Sequence, residues 1–460
     1  MTKQTLLLVF LILYVIFLLL LAFIDKANNF TDFAVAGKRQ KSSAVTLSIL
    51  ATVVGGSATI GIIDTTYSIG FPAVWWLFFG GIGLILQGLF ISKKVRSLNA
   101  DTLPDAAGKL VNRPAEIVIS LIIVISWIGV IAGQLIALNN IISLLLGSSS
   151  KPVFVVVSLA VIAYTTIGGQ LSVVKTDMLQ FLLVVLGILF TLCYLYLFKG
   201  DANQAIFSQV ELLNGGYQPI NLFTQLFVIG GVYFLGPDIM SRNLLSKDSK
   251  TAKKSALISG CALFFYTIVI VLIGMWAKFH IAPEQVKQMG AFMSVIEKVL
   301  PFPVKVIMVI GLISAVLSSI DTCIINAATI FVRDLLKKQN VNLIRLTVVV
   351  LGALALVFAL SGSGDIIKVL QNAYSVYTPG VIFPLTIAIL SYEKHPLNKN
   401  LWLSAVICGG LFGILGSYGI NLVTKLSLPA WFSSNMSLIG MFLSLILALC
   451  SVNYSKKINN

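Results

Sequence analysis

The stretch from Gly311 to Thr329 reads GLISAVLSSIDTCIINAAT, in which Ser318, Ser319, Asp321 and Thr322 interrupt an otherwise apolar run. Hydroxyls and carboxylates are costly on a helix in lipid, so residues of these types face a bundle interior and mark a path for an ion or polar solute. Their oxygens suit a hard cation. The alternative is that the two serines bond back to carbonyls of their own helix. Three other carboxylates pose the same question. Asp177 ends the run GGQLSVVKTD, Asp238 ends IGGVYFLGPD, and Asp64 lies within TVVGGSATIGIIDTTYSIG. Asp177 either contributes to a cation site or serves as a helix cap or partner of Lys175. Asp238 offers its charge to an ammonium group or a second cation, or pairs with Arg242 one turn later, and the pairing is the expected arrangement. No partner can be named for Asp64. Asp365 and Lys368, three residues apart, are expected to satisfy one another. His280 and His395 have no ligand neighbours, the five cysteines form no CxxC pair, and no nucleophile stands beside a base, so neither an enzyme nor a metal centre is expected.

The elements that carry these residues are membrane helices. The mean hydropathy is +0.97, with 58% hydrophobic and 11% charged residues. A helix needs ~20 apolar residues to cross a bilayer, and about thirteen stretches meet that criterion. They lie near 5–25, 42–70, 72–92, 114–146, 152–167, 172–198, 218–240, 254–280, 301–332, 343–361, 365–391, 400–420 and 430–453. The first has no small-residue cleavage site before Asp25 and Lys26 and reads as a retained helix.

The net charge of +15 is a topology signal. Lys38, Arg39, Lys41, Lys93, Lys94, Arg96, Lys109, Arg113, Arg242, Lys247, Lys250, Lys253, Lys254, Arg333, Lys337, Lys338, Arg345, Lys456 and Lys457 fall on one side of a thirteen-helix chain. The positive-inside bias then puts the N-terminus outside and the C-terminus in the cytoplasm, and a nucleic-acid partner is not implied.

Two of the helices carry glycine pairs at corresponding places, Gly55-Gly56 and Gly230-Gly231, the second followed by Pro237. Pro237 lacks a backbone donor and frees the carbonyl four residues earlier. Secondary transporters are commonly built from two inverted repeats whose first helices are broken near the midplane. The spacing fits a leading helix at 5–25, repeats of five helices at 42–198 and 218–391, and trailing helices at 400–453. Glycine pairs also serve close helix packing, an equal explanation for either pair alone, but two pairs in matching positions, one followed by Pro237, favour unwinding.

Five segments resemble the sodium:solute symporter family, whose members include sodium/proline, sodium/galactose, sodium/sialic acid and sodium/pantothenate transporters. They are FAVAGKRQ, the TIG and YSIG run ending at Gly70, YTTIGGQLSVVKTDMLQ from Tyr164 to Gln180, PDIMSRNLLSKDSKTAKKSA from Pro237 to Ala256, and SAVLSSIDT from Ser314 to Thr322. The resemblance implies an all-α integral membrane protein with a LeuT-type five-plus-five core formed by the second to eleventh helices. It maps a sodium ion onto the carbonyls of Ala51, Val54 and Ala315 and the hydroxyls of Ser318 and Ser319. It maps a second cation onto Asp177 and Ser318 with Asp321 and Thr322, although members with that site carry serines at the last two positions. Two carboxylates there could instead share a proton.

The same resemblance lines the solute site with Gly55, Gly56, Ser57, Ala58, Tyr233, Phe234, Gly236 and Asp238, with Tyr374, Tyr377 and Pro379 as further candidates. Sugar is not expected, because Ala58 and Leu77 stand where sugar-transporting members carry hydrogen-bonding side chains. The implied function is sodium-coupled symport of a small organic solute by a monomeric unit in the inner or plasma membrane of a bacterium. The alternatives are proton coupling and a solute-sensing module. For the latter, no signalling domain is expected, since the chain stops at Asn460.

Overall fold

Lipid offers backbone groups no partner, so each crossing stretch must close its hydrogen bonds within itself. The computed structural model describes residues 3–24, 27, 29–199, 203–361, 365–418, 432 and 435–453, and among these the chain forms helices and isolated bridges but no strand. Asp25, Lys26, Lys456 and Lys457 lie outside the described residues. In chain order the main helices are α1 (Lys3–Ile24), α2 (Ser42–Val53), α3 (Gly56–Ile69), α4 (Trp75–Leu86), α5 (Arg113–Leu146), α6 (Lys151–Gly168), α7 (Gln170–Phe198) and α8 (Pro219–Leu235). They continue with α9 (Pro237–Leu245), α10 (Ser249–His280), α11 (Phe302–Thr329), α12 (Val341–Ser361), α13 (Ile366–Ser391), α14 (Lys399–Tyr418) and α15 (Met436–Cys450).

Among the described residues ten helices are long and apolar enough to cross a membrane, and α2 with α3, meeting at 48°, makes an eleventh crossing if the pair is one span. The first and last expected crossings correspond to shorter apolar stretches, Val9–Leu21 and Met436–Cys450. The ends follow local chemistry. Asn112 caps α5 by accepting from the Ala115 N–H (3.1 Å), and Asp248 caps α10 through the Thr251 N–H (2.7 Å). Between α6 and α7 the chain turns at Gly169, whose φ of +73° excludes most side chains; a Cβ there would also lie 2.7 Å from the Phe33 ring.

The site lies where α2, α3, α7 and α11 meet. Helix α11 packs along α7 and α5, and α13 packs against α5, α8 and α14. Small residues let backbones touch: a Cβ on Gly311 would lie 2.9 Å from the Leu183 carbonyl, and one on Gly260 would lie 2.8 Å from that of Gly81. Large apolar side chains on the outer surface, among them Phe265, Leu346 and Val357, are more than half exposed, as lipid-facing residues should be.

Candidate ion and solute site

The first break is made by two residues. Val54 (φ −88°, ψ 29°) and Gly55 (φ −56°, ψ 159°) leave helical geometry, and the last backbone bond of α2 runs from the Val54 N–H to the Leu50 carbonyl at 2.8 Å. The final carbonyls of α2 thereby lose their intrahelical partners. Helix α3 resumes with the Thr59 N–H on the Gly55 carbonyl at 2.9 Å. Opposite this gap, Ser319 Oγ donates to the Thr52 carbonyl at 3.4 Å. A Cβ on Gly55 would collide with that hydroxyl, so glycine is needed for the approach. From α5, Gln134 Oε1 accepts from the Ser57 N–H at 3.3 Å.

Ser318 donates to Asp177 Oδ1 at 2.5 Å. Neither serine turns back onto its own helix, whereas Ser314, one turn earlier, does so by donating to the Ile310 carbonyl at 2.7 Å. Both hydroxyl oxygens keep lone pairs for a cation while donating their protons. Ala51, Val54 and Ala315 are buried in the same segments. The break, the glycine clearance and the two hydroxyls form an all-oxygen environment of the kind a hard cation takes.

The residues expected to share a second cation are divided differently. Asp177 lies well inside α7, fully buried, and is not its N-cap. Ser48 donates to its Oδ2, and Arg242 Nη2 pairs with the same oxygen at 3.1 Å. Arg242, also fully buried, further donates to Gln170 Oε1 and to Thr322 Oγ1. The positive charge beside Asp177 and Thr322 is therefore built into the chain. Asp321 turns toward α6 instead and accepts from Thr165 Oγ1 at 2.6 Å, while its Oδ2 has no partner among the described residues. The expected Asp238–Arg242 pair does not form, because Asp177, Gln170 and Thr322 together give the guanidinium more acceptors than Asp238 would.

The second break centres on Gly236 (φ −60°, ψ 137°), followed by Pro237 at the start of α9. It bends the path less than the first, and Pro219–Leu245 still reads as one crossing. Tyr377 of α13 donates to the Leu235 carbonyl at 2.6 Å, tying α13 to the break. Tyr233 packs on Gly80, where a Cβ would lie 2.9 Å from its ring. Asp238 Oδ1 accepts from the Ile239 N–H at 3.0 Å. Phe234 departs from the expected lining, facing an apolar cavity of about 280 Å³ with Ile82, Phe227 and Phe383.

A polar cavity of about 590 Å³ opens between the end of α3 and the start of α13, lined by Asp64, Thr65, Asn140, Asp365, Lys368 and Gln371. Asp64 has a partner after all: its Oδ1 accepts the Phe292 N–H at 2.9 Å, at the start of the short helix Ala291–Lys298. Asp365 caps α13 through the backbone N–H of Lys368 at 3.0 Å and forms no side-chain ion pair with it among the described residues.

The profile of the Sodium:solute symporter family matches residues 33–400. The chain belongs to that family. It is a transporter and not an enzyme. It is 22% identical to the Sodium/glucose cotransporter of Vibrio parahaemolyticus over 92% of this chain and 85% of that one. It is 24% identical to the Sodium/proline symporter of Haemophilus influenzae, over 78% of each chain. Among solved structures it resembles a Na+-coupled sialic acid symporter in a substrate-bound outward-open state, with a TM-score of 0.76, 17% identity and 99% coverage of both chains. The fold is that of the LeuT-type transporters. Family membership supports sodium symport of a solute by this multi-pass membrane protein.

The site also contains residues that the sequence reading did not assign to it. Gln134 is a lone glutamine in the apolar length of α5, a polarity that is itself a signal in a membrane helix. Gln170 belongs to the GGQ motif, and Ser48 is one of several hydroxyls in α2. Arg242 was read as a neighbour of Asp238 and as one of the basic-face residues, yet it is fully buried inside the bundle, because its partner Asp177 is 65 positions away in the chain.

Proposed function

We propose that this symporter couples the entry of one sodium ion to the import of one small organic solute by alternating access. The observation that carries the reading is that Ser318 and Ser319 leave their own helix and face the opened end of α2 and Asp177. In this reading sodium takes the carbonyls of Ala51, Val54 and Ala315 and the hydroxyls of Ser318 and Ser319, and the solute lies between the two breaks against Gly55, Gly56, Ser57, Ala58, Tyr233, Gly236 and Asp238. The repeats span 42–198 and 218–391, and the basic loops face the cytoplasm, with the N-terminus outside. Sodium binding at α2 and α11 holds the two elements together, and solute binding across the breaks completes the closed form. One charge crossing ~100 mV supplies about 2.3 kcal/mol, enough for a roughly 50-fold solute gradient.

The test is thermal unfolding of the purified protein in sodium, lithium and potassium chlorides. Sodium at about 100 times its Kd should stabilise by about 2.7 kcal/mol through linkage, and Ser318→Ala with Ser319→Ala should remove that response. Indifference to sodium with a response to pH would replace sodium by a proton as the coupling ion.

A further inference from the structure

Asp238 is a buried carboxylate whose expected partner is engaged elsewhere. Arg242, one turn along α9, is committed to Asp177, Gln170 and Thr322. Asp238 has no ion pair among the described residues, and its Oδ2 meets only the Cys323 thiol, at 3.8 Å. The helix start satisfies Oδ1 through Ile239 but supplies no full positive charge. A carboxylate held in a low-dielectric interior with no direct ion pair, its neighbouring arginine turned to other acceptors, is costly, so a cation brought into contact by a ligand would relieve it.

The surroundings suit such a ligand. Tyr233 precedes the break that Asp238 follows, Tyr377 donates to the Leu235 carbonyl in that break at 2.6 Å, and Trp127 packs on Tyr374 and Tyr377 with ring centroids 6.4 and 5.1 Å away. Aromatic faces attract a positively charged nitrogen, most strongly when it is desolvated. Trp127 is fully buried beside Cys323, and its indole N–H faces only that weakly accepting sulfur and makes no close hydrogen bond among the described residues.

We propose that the solute is an amine that also carries an oxygen acceptor, its charged nitrogen taken by Asp238 and the tyrosine faces and its oxygen by the Trp127 N–H. This rests on the symport reading above, and the experiment keeps the two apart.

Purified full-length protein is unfolded thermally in potassium chloride, in sodium chloride, and in sodium chloride with choline, glycine betaine, single amino acids, acetate, lactate or galactose. The sodium-only shift reports on the symport reading and the further shift on the solute. At least one amine-bearing compound should stabilise the wild type in sodium. Asp238→Asn should bind it about 30-fold more weakly, as expected for removal of one member of a buried charge pair, while keeping the sodium-only shift. If the asparagine variant does not fold, Asp238→Glu carries the test and should weaken the same compound about tenfold by displacing the charge. Silence across the amines, stabilisation by acetate, lactate or galactose in their place, or unchanged affinity in the folded variant overturns the proposal.

Discussion

Arg242 decides the character of the site more than any other side chain. Removing one partner from a buried ion pair leaves an uncompensated charge and typically costs about 3–5 kcal/mol. Asp177→Asn and Arg242→Met should therefore each destabilise the protein strongly, and the double variant should recover part of the loss. Additive losses in a thermal or denaturant series would show that the pair is not coupled. Because the guanidinium already stands beside Asp177 and Thr322, sodium stabilisation of the wild type should follow a single-site hyperbola; a sigmoidal titration would restore a second ion there.

At the scale of elements, the site depends on two helices that stop and restart. Gly55 is where α2 releases its carbonyls and where Ser319 comes close enough to exclude a Cβ. Gly55→Ala should push the serine away, at an overpacking cost of about 1–3 kcal/mol, and weaken apparent sodium affinity in proportion. A sodium titration of the alanine variant that overlays the wild type would remove this account. The second break is held differently, by Tyr377 on the Leu235 carbonyl. That hydroxyl ties the less sharply bent path to α13.

For the whole molecule, the basic face is tied together as well as charged. Lys38 and Arg333 both pair with Asp101, at 2.7 and 2.9 Å, Arg333 also reaches Asp105 at 2.9 Å, and Lys337 meets Glu116 at 2.5 Å. These pairs join the segment before α2, the stretch leading into α5 with its first turn, and the segment that follows α11. Burial acts to raise the Asp101 carboxyl, but Lys38 and Arg333 outweigh it and hold it below the ordinary carboxylate range. A depressed value in the folded state stabilises above the unfolded pKa, near about 4, and that contribution fades as pH falls through the folded value. The difference in Tm between wild type and Asp101→Asn should thus be steady near neutrality and shrink from about pH 4 downward. A difference that did not change with pH would detach Asp101 from the network's stability.

How much of this was legible beforehand differs by kind of residue. The membrane class, the apolar crossings, the basic face and the first interrupted helix follow from composition and local spacing, because lipid imposes length and self-satisfied backbone bonds on every segment independently, whereas the second break falls at Gly236 and leaves Gly230 and Gly231 inside α8. The polarity of Ser318, Ser319, Asp177 and Asp238 marked them as interior for the same reason. Their partners could not be read. Asp238 and Arg242 are one helical turn apart, yet the guanidinium reaches across to α7 and α11; Asp321 adjoins Thr322 but turns to Thr165; and Asp64 meets the backbone of Phe292, 228 positions away. Sequence by itself determined which side chains had to leave the lipid, whereas packing of helices distant in the chain decided which charges meet. Only tertiary structure sets those distances, and electrostatic choice between nearby acceptors depends on them.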